Sequence, residues 1–359
     1  MISVDGISGD DFAGAGLQRL RGLPQHDLLT LAGDWLGELA PWRNAETLAA
    51  ISTTMSAESV LSSLFVFGER VAESEVRSEL PGPLFDLLLR AGVLSEDSGK
   101  VSADYCLVRG DGMALLAAWR AAGRDSGSYA PWVGTDSMTL SRLVAARTGV
   151  RSALDLGCGT GILGLSAARN GADVLSVDIN PECTAAATVN AHINGLGDRL
   201  TTAEGDIMSL SLDDRFDLVV SNPPCLPLRR GSLGWLAGEA GLDGLEFFWE
   251  LLRQVPRLLS QEGEALLQAA AYGDESGPFF ISELEAELRR LNVSGRLLLR
   301  PSTPPRWPAF AQLDEDQQLT GPLGEEVREY VTGIGATHYY GFVLSTRSGG
   351  EGLEVGRFQ

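Results

Sequence analysis

The chain is 359 residues long, room for about two domains, and is 44% hydrophobic and 21% charged with a formal net charge of -20. This is an ordinary globular balance with a strong acidic bias. It disfavours nucleic acid, because gripping a phosphate backbone needs clustered Lys or Arg and Lys100 is the sole lysine; a small molecule, or a cationic or neutral protein partner, is expected instead.

The amino terminus, Met1-Ile2-Ser3-Val4-Asp5, has no basic stretch followed by an apolar core. No run of 18 or more apolar residues follows, so neither a signal peptide nor a membrane partner is expected. Cys106, Cys158, Cys183 and Cys225 are scattered, as are His26, His192 and His338. That argues against a disulfide framework or a metal site and for a reducing cytoplasm.

Residues 1–125 read as a mainly helical domain. Apolar clusters at helical spacing occur at Leu28-Leu29-Thr30-Leu31-Ala32 and Leu61-Ser62-Ser63-Leu64-Phe65, and a helix with prolines near its start covers 81–91. Val93-Leu94 and Tyr105-Cys106-Leu107-Val108 flank the polar turn Ser95-Glu96-Asp97-Ser98-Gly99-Lys100, the pattern of a small winged-helix unit. A nucleic-acid-binding wing would be basic, whereas this turn carries two acids and one lysine. The domain is therefore expected to cover the substrate or to form a homodimer.

Residues 123–127 form a Gly/Ser-containing linker, and beyond it strands alternate with helices. Strands are expected at 153–156, 174–177, 200–203, 216–221, 265–270, 293–299 and 339–344. Helices are expected from Ile162 and Pro181 and over 245–259 and 281–291. This alternation predicts a doubly wound α/β domain over 126–347. Residues 301–326 interrupt it with a proline-rich, then polar insertion, and the Gly/Glu-rich stretch 348–359 is expected to be a flexible tail.

Two motifs carry chemistry. Asp155-Leu156-Gly157-Cys158-Gly159-Thr160-Gly161 is a glycine-dense turn between a strand and a helix, where an open α/β sheet binds ligands. The next two strands end in Asp178 and Asp206, and a carboxylate at such a tip can accept ribose hydroxyls or a base amino group. Gly159-Thr160-Gly161-Ile162-Leu163-Gly164 also satisfies the dinucleotide pattern, so NAD is a rival cofactor at this point. The second motif, Asn222-Pro223-Pro224-Cys225, closes the fourth strand. An amide oxygen and a proline carbonyl converging on the N–H groups of a planar nitrogen would hold its lone pair towards an electrophile. A dehydrogenase needs neither Asp206 nor this tetrad.

Together the motifs resemble the class I S-adenosylmethionine (SAM) dependent methyltransferases, over residues 129–347. Within them the chain is most similar to the release-factor glutamine N-methyltransferase type and its small-molecule relatives. The likeness includes Gly241-Leu242-Asp243-Gly244-Leu245-Glu246-Phe247-Phe248 and the earlier Val133-Gly134-Thr135-Asp136-Ser137-Met138-Thr139-Leu140.

The resemblance implies a seven-stranded sheet and SAM as cofactor, held by Thr135, Asp155, Gly157, Gly159, Gly161, Asp178, Asp206 and Asn222. It makes Asn222 and Pro223 the catalytic pair. Thr135 or Asp136 would alternatively cap a helix. Cys225 departs from the family, which has Tyr or Phe there to stack on a flat substrate; Trp235 or Trp307 is expected to supply that cover. Among Asn222, Cys225, Trp235, Glu239 and Asp243 as substrate contacts, Glu239 is the first candidate to bind a cation, because Asp243 and Glu246 have a capping-box explanation. The substrate this favours is a small amino-acid-like molecule, with the guanidinium of arginine leading and a glutamine amide of a release factor as the alternative. A non-catalytic SAM-binding module is the reading from another class.

Overall fold

The computed structural model describes residues 60–65, 68–80, 82–90, 93–110, 113–118, 131, 133–232, 238–302, 321–350 and 352–358. The helix expected near Leu28, Trp235, Trp307 and most of the 301–326 insertion lie outside them.

The first described unit packs α1 (Val60–Phe65), α2 (Glu73–Glu79) and α3 (Gly82–Arg90) on a three-stranded antiparallel sheet in the order β1-β3-β2. Its strands are β1 (Val71–Ala72), β2 (Leu94–Asp97) and β3 (Lys100–Ala103). This is the winged-helix arrangement, with helix the larger part of it. The wing turns at Ser98 and Gly99, with φ of 55° and 72°, the mirror-image turn whose twist suits a two-residue hairpin.

A second hairpin, β4 (Tyr105–Gly110) and β5 (Met113–Ala118), lies against α6 (Pro181–Ile193). The free edge of β5 finds its partners in two asparagines one helical turn apart. Leu116 donates its N–H to Asn190 Oδ1 (2.7 Å) and accepts from Asn190 Nδ2 (3.0 Å). Ala114 does the same with Asn194 (3.0 and 2.7 Å). Asn190 Nδ2 also donates to the carbonyl of Thr160 (2.9 Å), which ties the hairpin to the glycine turn. Ala185, Ala186 and Val189 of α6 bury in one core with Leu64, Phe65, Phe85 and Leu116.

The second unit is a nine-stranded sheet whose main path runs β14-β12-β13-β10-β9-β6-β7-β8, with β11 (Gly277–Pro278) paired to β10. Its strands are β6 (Ser152–Leu156), β7 (Asp173–Asp178), β8 (Leu200–Glu204), β9 (Phe216–Ser221), β10 (Leu259–Asp274), β12 (Val293–Leu299), β13 (His338–Ser348) and β14 (Leu353–Arg357). From β8 to β10 the strands are parallel, and β13 enters antiparallel between β10 and β12. The seven expected strands are all present. The stretch expected to be a flexible tail instead contributes β14, hydrogen-bonded in parallel to β12 from Leu353↔Gly295 to Arg357↔Leu299.

Helices α4 (Thr135–Ala145), α5 (Ile162–Arg169), α6, α7 (Glu246–Leu258) and α8 (Ile281–Leu291) cover the sheet, and α9 (Gly321–Gly333) follows the insertion. On one face α7 buries Phe248, which meets Trp249, Phe280 and Phe342 edge-on at centroid distances of 5.1–5.9 Å. Edge-to-face pairs of this kind contribute about 0.5–1.5 kcal/mol each beyond area burial. This core underpins β10 and β13.

Candidate active site

Chain order is reversed between β6 and β9: the sheet grows one way through β7 and β8 and the other through β9 and β10. A crevice opens at such a switch point beyond the strand ends. Along that edge the residues follow one another in strand order: Asp206 after β8, Asp178 ending β7, the glycine turn after β6, Asn222 after β9, and Gln268 on β10.

The glycine turn is held from below. Gly157 and Cys158 donate their N–H groups to the carbonyl of Val177 (2.8 and 3.1 Å), and Gly159 N–H donates to Asp178 Oδ2 (2.9 Å). Gly159 has φ 53° and open space where a Cβ would stand, so its backbone faces the crevice bare. Gly161 is a glycine for another reason. A Cβ there would lie 2.8 Å from Ala187 Cβ, so its absence lets α5 approach α6, and packing alone accounts for the glycine.

Asp178 is nearly buried, and Asn180 N–H donates to its second oxygen (2.9 Å). Desolvation raises its pKa. Ile179 beside it is 48% exposed, an apolar side chain left open at the same rim. Asp206 Oδ1 accepts from Met208 N–H (2.9 Å) and stays half-buried. An adenosine fits this row: a ribose would supply donors to the buried carboxylate, a base would cover Ile179, and an amino-acid end would meet the bare backbone at Gly159. Thr135 stands in the first turn of α4, whose N-cap is Gly134; neither Thr135 nor Asp136 caps it.

Asp155 is fully buried under the turn, and its Oδ2 accepts from Gly164 N–H (2.9 Å) while Oδ1 has no hydrogen-bond partner. Through the bond to Gly164 the carboxylate braces α5. Burial pushes its pKa up to about 7. The unfolded chain releases this proton near 3.8, so between about pH 4 and pH 7 the folded state holds the extra proton and stability falls as pH rises. Asp155→Asn should therefore gain on the wild type by up to about 4 kcal/mol across that window. Urea unfolding at pH 5 and pH 8 checks this, and a pH-independent difference would refute it.

The acceptor side is built on Asn222. Ser221 Oγ donates to the carbonyl of Leu156 (2.7 Å), clamping the end of β9 to the start of the glycine turn. Asn222 Nδ2 donates to Asp136 Oδ2 (3.2 Å) and Ser137 Oγ (2.9 Å), and its Oδ1 accepts from Gln268 Nε2 (2.9 Å). Cys225 follows. Burial pushes its thiol up to about 12, which favours the protonated form.

Glu239 is 5% exposed, and its Oε2 accepts from the N–H of Gly231. The carboxylate is thus turned towards its own loop and little exposed. Asp243 Oδ1 accepts from Leu245 N–H (3.0 Å), a local turn rather than a capping box.

Sequence reasoning missed several residues. Tyr339 on β13 donates from its hydroxyl to the carbonyl of Cys225 (3.4 Å) and packs 5.0 Å from Tyr272, with Tyr330 of α9 6.2 Å from Tyr272. Aromatic faces thus stand behind the position where the family carries its own. Gln268 and Arg300 were also missed. One signal existed for Gln268: it is the lone polar residue in the apolar run from Ala265 to Ala271. Among the described residues no cluster suited to a metal ion occurs, and no helix is long and apolar enough to cross a membrane.

Residues 134–271 match the family model described as methyltransferase small domain. A ribosomal protein uL3 glutamine methyltransferase of Bradyrhizobium diazoefficiens is 34% identical over 34% of this chain and 41% of its own length. A release factor glutamine methyltransferase of Deinococcus radiodurans is 36% identical over 38% of this chain and 49% of its own. A tRNA1(Val) (adenine(37)-N6)-methyltransferase of Porphyromonas gingivalis is 38% identical over 26% of this chain and 40% of its own. The chain thus spans less than half the length of these three relatives. All three are named for protein or tRNA acceptors, which does not fit the small-molecule substrate expected from the sequence. Net charge describes the whole surface and not one groove. Strand order, the glycine turn with its two acids, and the matched domain lead to one family: this chain carries a class I SAM-dependent methyltransferase domain related to the glutamine methyltransferase type.

Proposed function

We propose that the chain is an N-methyltransferase whose acceptor is the side-chain amide of a glutamine in a protein. The observation that carries this reading is the placement of Asn222, held by side chains on both sides at the end of β9, next to the glycine turn and followed by Pro223. SAM supplies an electrophilic methyl group. The chain's own work is orientation. Asn222 Oδ1 and the carbonyl of Pro223 accept from the two N–H bonds of a primary amide, which turns the nitrogen lone pair towards the methyl group. Both acceptors also favour the positive charge that develops on nitrogen.

A guanidinium loses its main support, because Glu239 is committed to its own loop. A purine amine shares the planar geometry, and one relative is named for adenine. Cys225 and the net charge of -20 weigh against it here. A winged-helix unit that covers the acceptor, or pairs two copies, completes the proposal.

The test offers wild-type enzyme and labelled SAM a release factor, ribosomal protein uL3, bulk tRNA and free arginine. Label is expected in a protein, on glutamine nitrogen. Label only in tRNA or arginine would overturn the glutamine reading, and no label anywhere would leave the domain a binding module.

A further inference from the structure

Arg300 stands one residue past β12, and its side chain crosses β13 at Gly341, where a Cβ would lie 3.2 Å from Arg300 Cδ. A side chain there would press on that path. The guanidinium reaches Gln268, with Nη2 donating to Gln268 Oε1 (3.0 Å) and to the backbone carbonyl of Asp136 (3.4 Å). Gln268 Nε2 donates to Asn222 Oδ1 (2.9 Å), and Asn222 Nδ2 donates to Asp136 Oδ2 (3.2 Å). The four residues, from four separate parts of the chain, form a ring that closes through the backbone carbonyl of Asp136.

The polarity of this ring has one solution. A guanidinium only donates and a carboxylate only accepts. Arg300 therefore fixes Oε1 of Gln268 towards itself, which turns Nε2 towards Asn222. Asp136 fixes Nδ2 of Asn222 towards itself, which turns Oδ1 towards Gln268. Reversing either amide would set donor against donor. Gln268 is 3% exposed in the middle of a sheet strand, where an apolar residue would pack without needing partners.

We propose that Gln268 and Arg300 are positioning residues for methyl transfer: they lock the Asn222 amide so that one Oδ1 lone pair is left for the acceptor N–H. The same two bonds polarise that amide in one sense. A donor at its oxygen and a carboxylate at its nitrogen both draw negative charge onto Oδ1. This rests on the glutamine-amide reading only in assigning Oδ1 to the acceptor; the lock itself is a property of the chain.

The experiment has two readouts. The first uses protein labelled with ¹⁵N-asparagine and needs no acceptor. The Asn222 side-chain amide signal is identified by its loss in Asn222→Ser. In Gln268→Leu that signal should shift and exchange faster with solvent. The second is turnover with whichever protein acceptor the wild type labels. Gln268→Leu should lose at least tenfold in kcat, with KM for SAM within twofold. Arg300→Met should lose less, and the double variant no more than Gln268→Leu, because Arg300 acts through Gln268. Arg300→Lys should lose less than Arg300→Met.

Gln268→Glu gives a signature that packing cannot mimic. Its ionised carboxylate can only accept, so the Asn222 amide must turn its Nδ2 towards it. Activity should then fall as pH rises and the carboxylate ionises, and recover towards acid pH. An unmoved Asn222 signal in Gln268→Leu would overturn the lock even if no acceptor is ever labelled. A moved signal with unchanged kcat would overturn its part in the reaction.

Discussion

Replacing Asn222 with alanine is expected to lower turnover by about 100-fold or more while leaving SAM affinity within about threefold. The size follows from what is lost. Without Oδ1 the acceptor amide meets only the carbonyl of Pro223, which fixes one N–H and leaves the plane free to rotate. The lone pair then spends most of its time out of line with the methyl group, and the charge developing on nitrogen faces a site with one acceptor fewer. Affinity for SAM is spared because the cofactor row, Asp206, Asp178 and the glycine turn, lies on β8, β7 and β6, on the far side of β9 from Gln268. The variant also strands Gln268 Nε2 and Asp136 Oδ2, which cost of order 1–3 kcal/mol of folding stability. Thermal melts and a SAM titration must therefore accompany single-turnover rates. Near wild-type turnover in a folded Asn222→Ala protein would mean that the tetrad only stops a strand.

The parallel half of the fold was legible because local and global signals agree there. Residues 216–221 are a mostly apolar stretch between polar segments, and their observed limits coincide with the expected ones. The strand expected at 265–270 extends over Leu259–Asp274 because β13 and β11 pair with it beyond the sheet edge, which no local pattern records. β14 was hidden for the same reason. Its stretch is rich in Gly and Glu, and its order comes from an edge of β12 that lies more than fifty residues earlier.

The site divides in the same way. Glycines and strand-end acids announce a crevice because their spacing is set by one strand-turn-helix. The ring around Asn222 joins residues 136, 222, 268 and 300, which no local spacing brings together. Charge misled in the opposite direction. Glu239 reads as an exposed loop acid, and only the fold shows it buried and bonded to Gly231.

Asp178→Ala is expected to weaken SAM, and its demethylated product, by about 10- to 100-fold, or roughly 1.5–3 kcal/mol. Two losses add in the same direction. The carboxylate accepts from Gly159 N–H and Asn180 N–H (2.9 Å each), so its removal loosens the turn that cradles the ligand and the start of α6. It also removes the acceptor proposed for the ribose hydroxyls, in a nearly buried place where water replaces it poorly. Asp206→Ala should cost less, because that carboxylate is half-buried and water can stand in for it. Calorimetry with the two variants gives the order directly, with NAD as the control that should stay inert. Asp178→Ala binding within threefold of wild type, or NAD binding to wild type as tightly as SAM, would remove the assignment of β7 to the ribose.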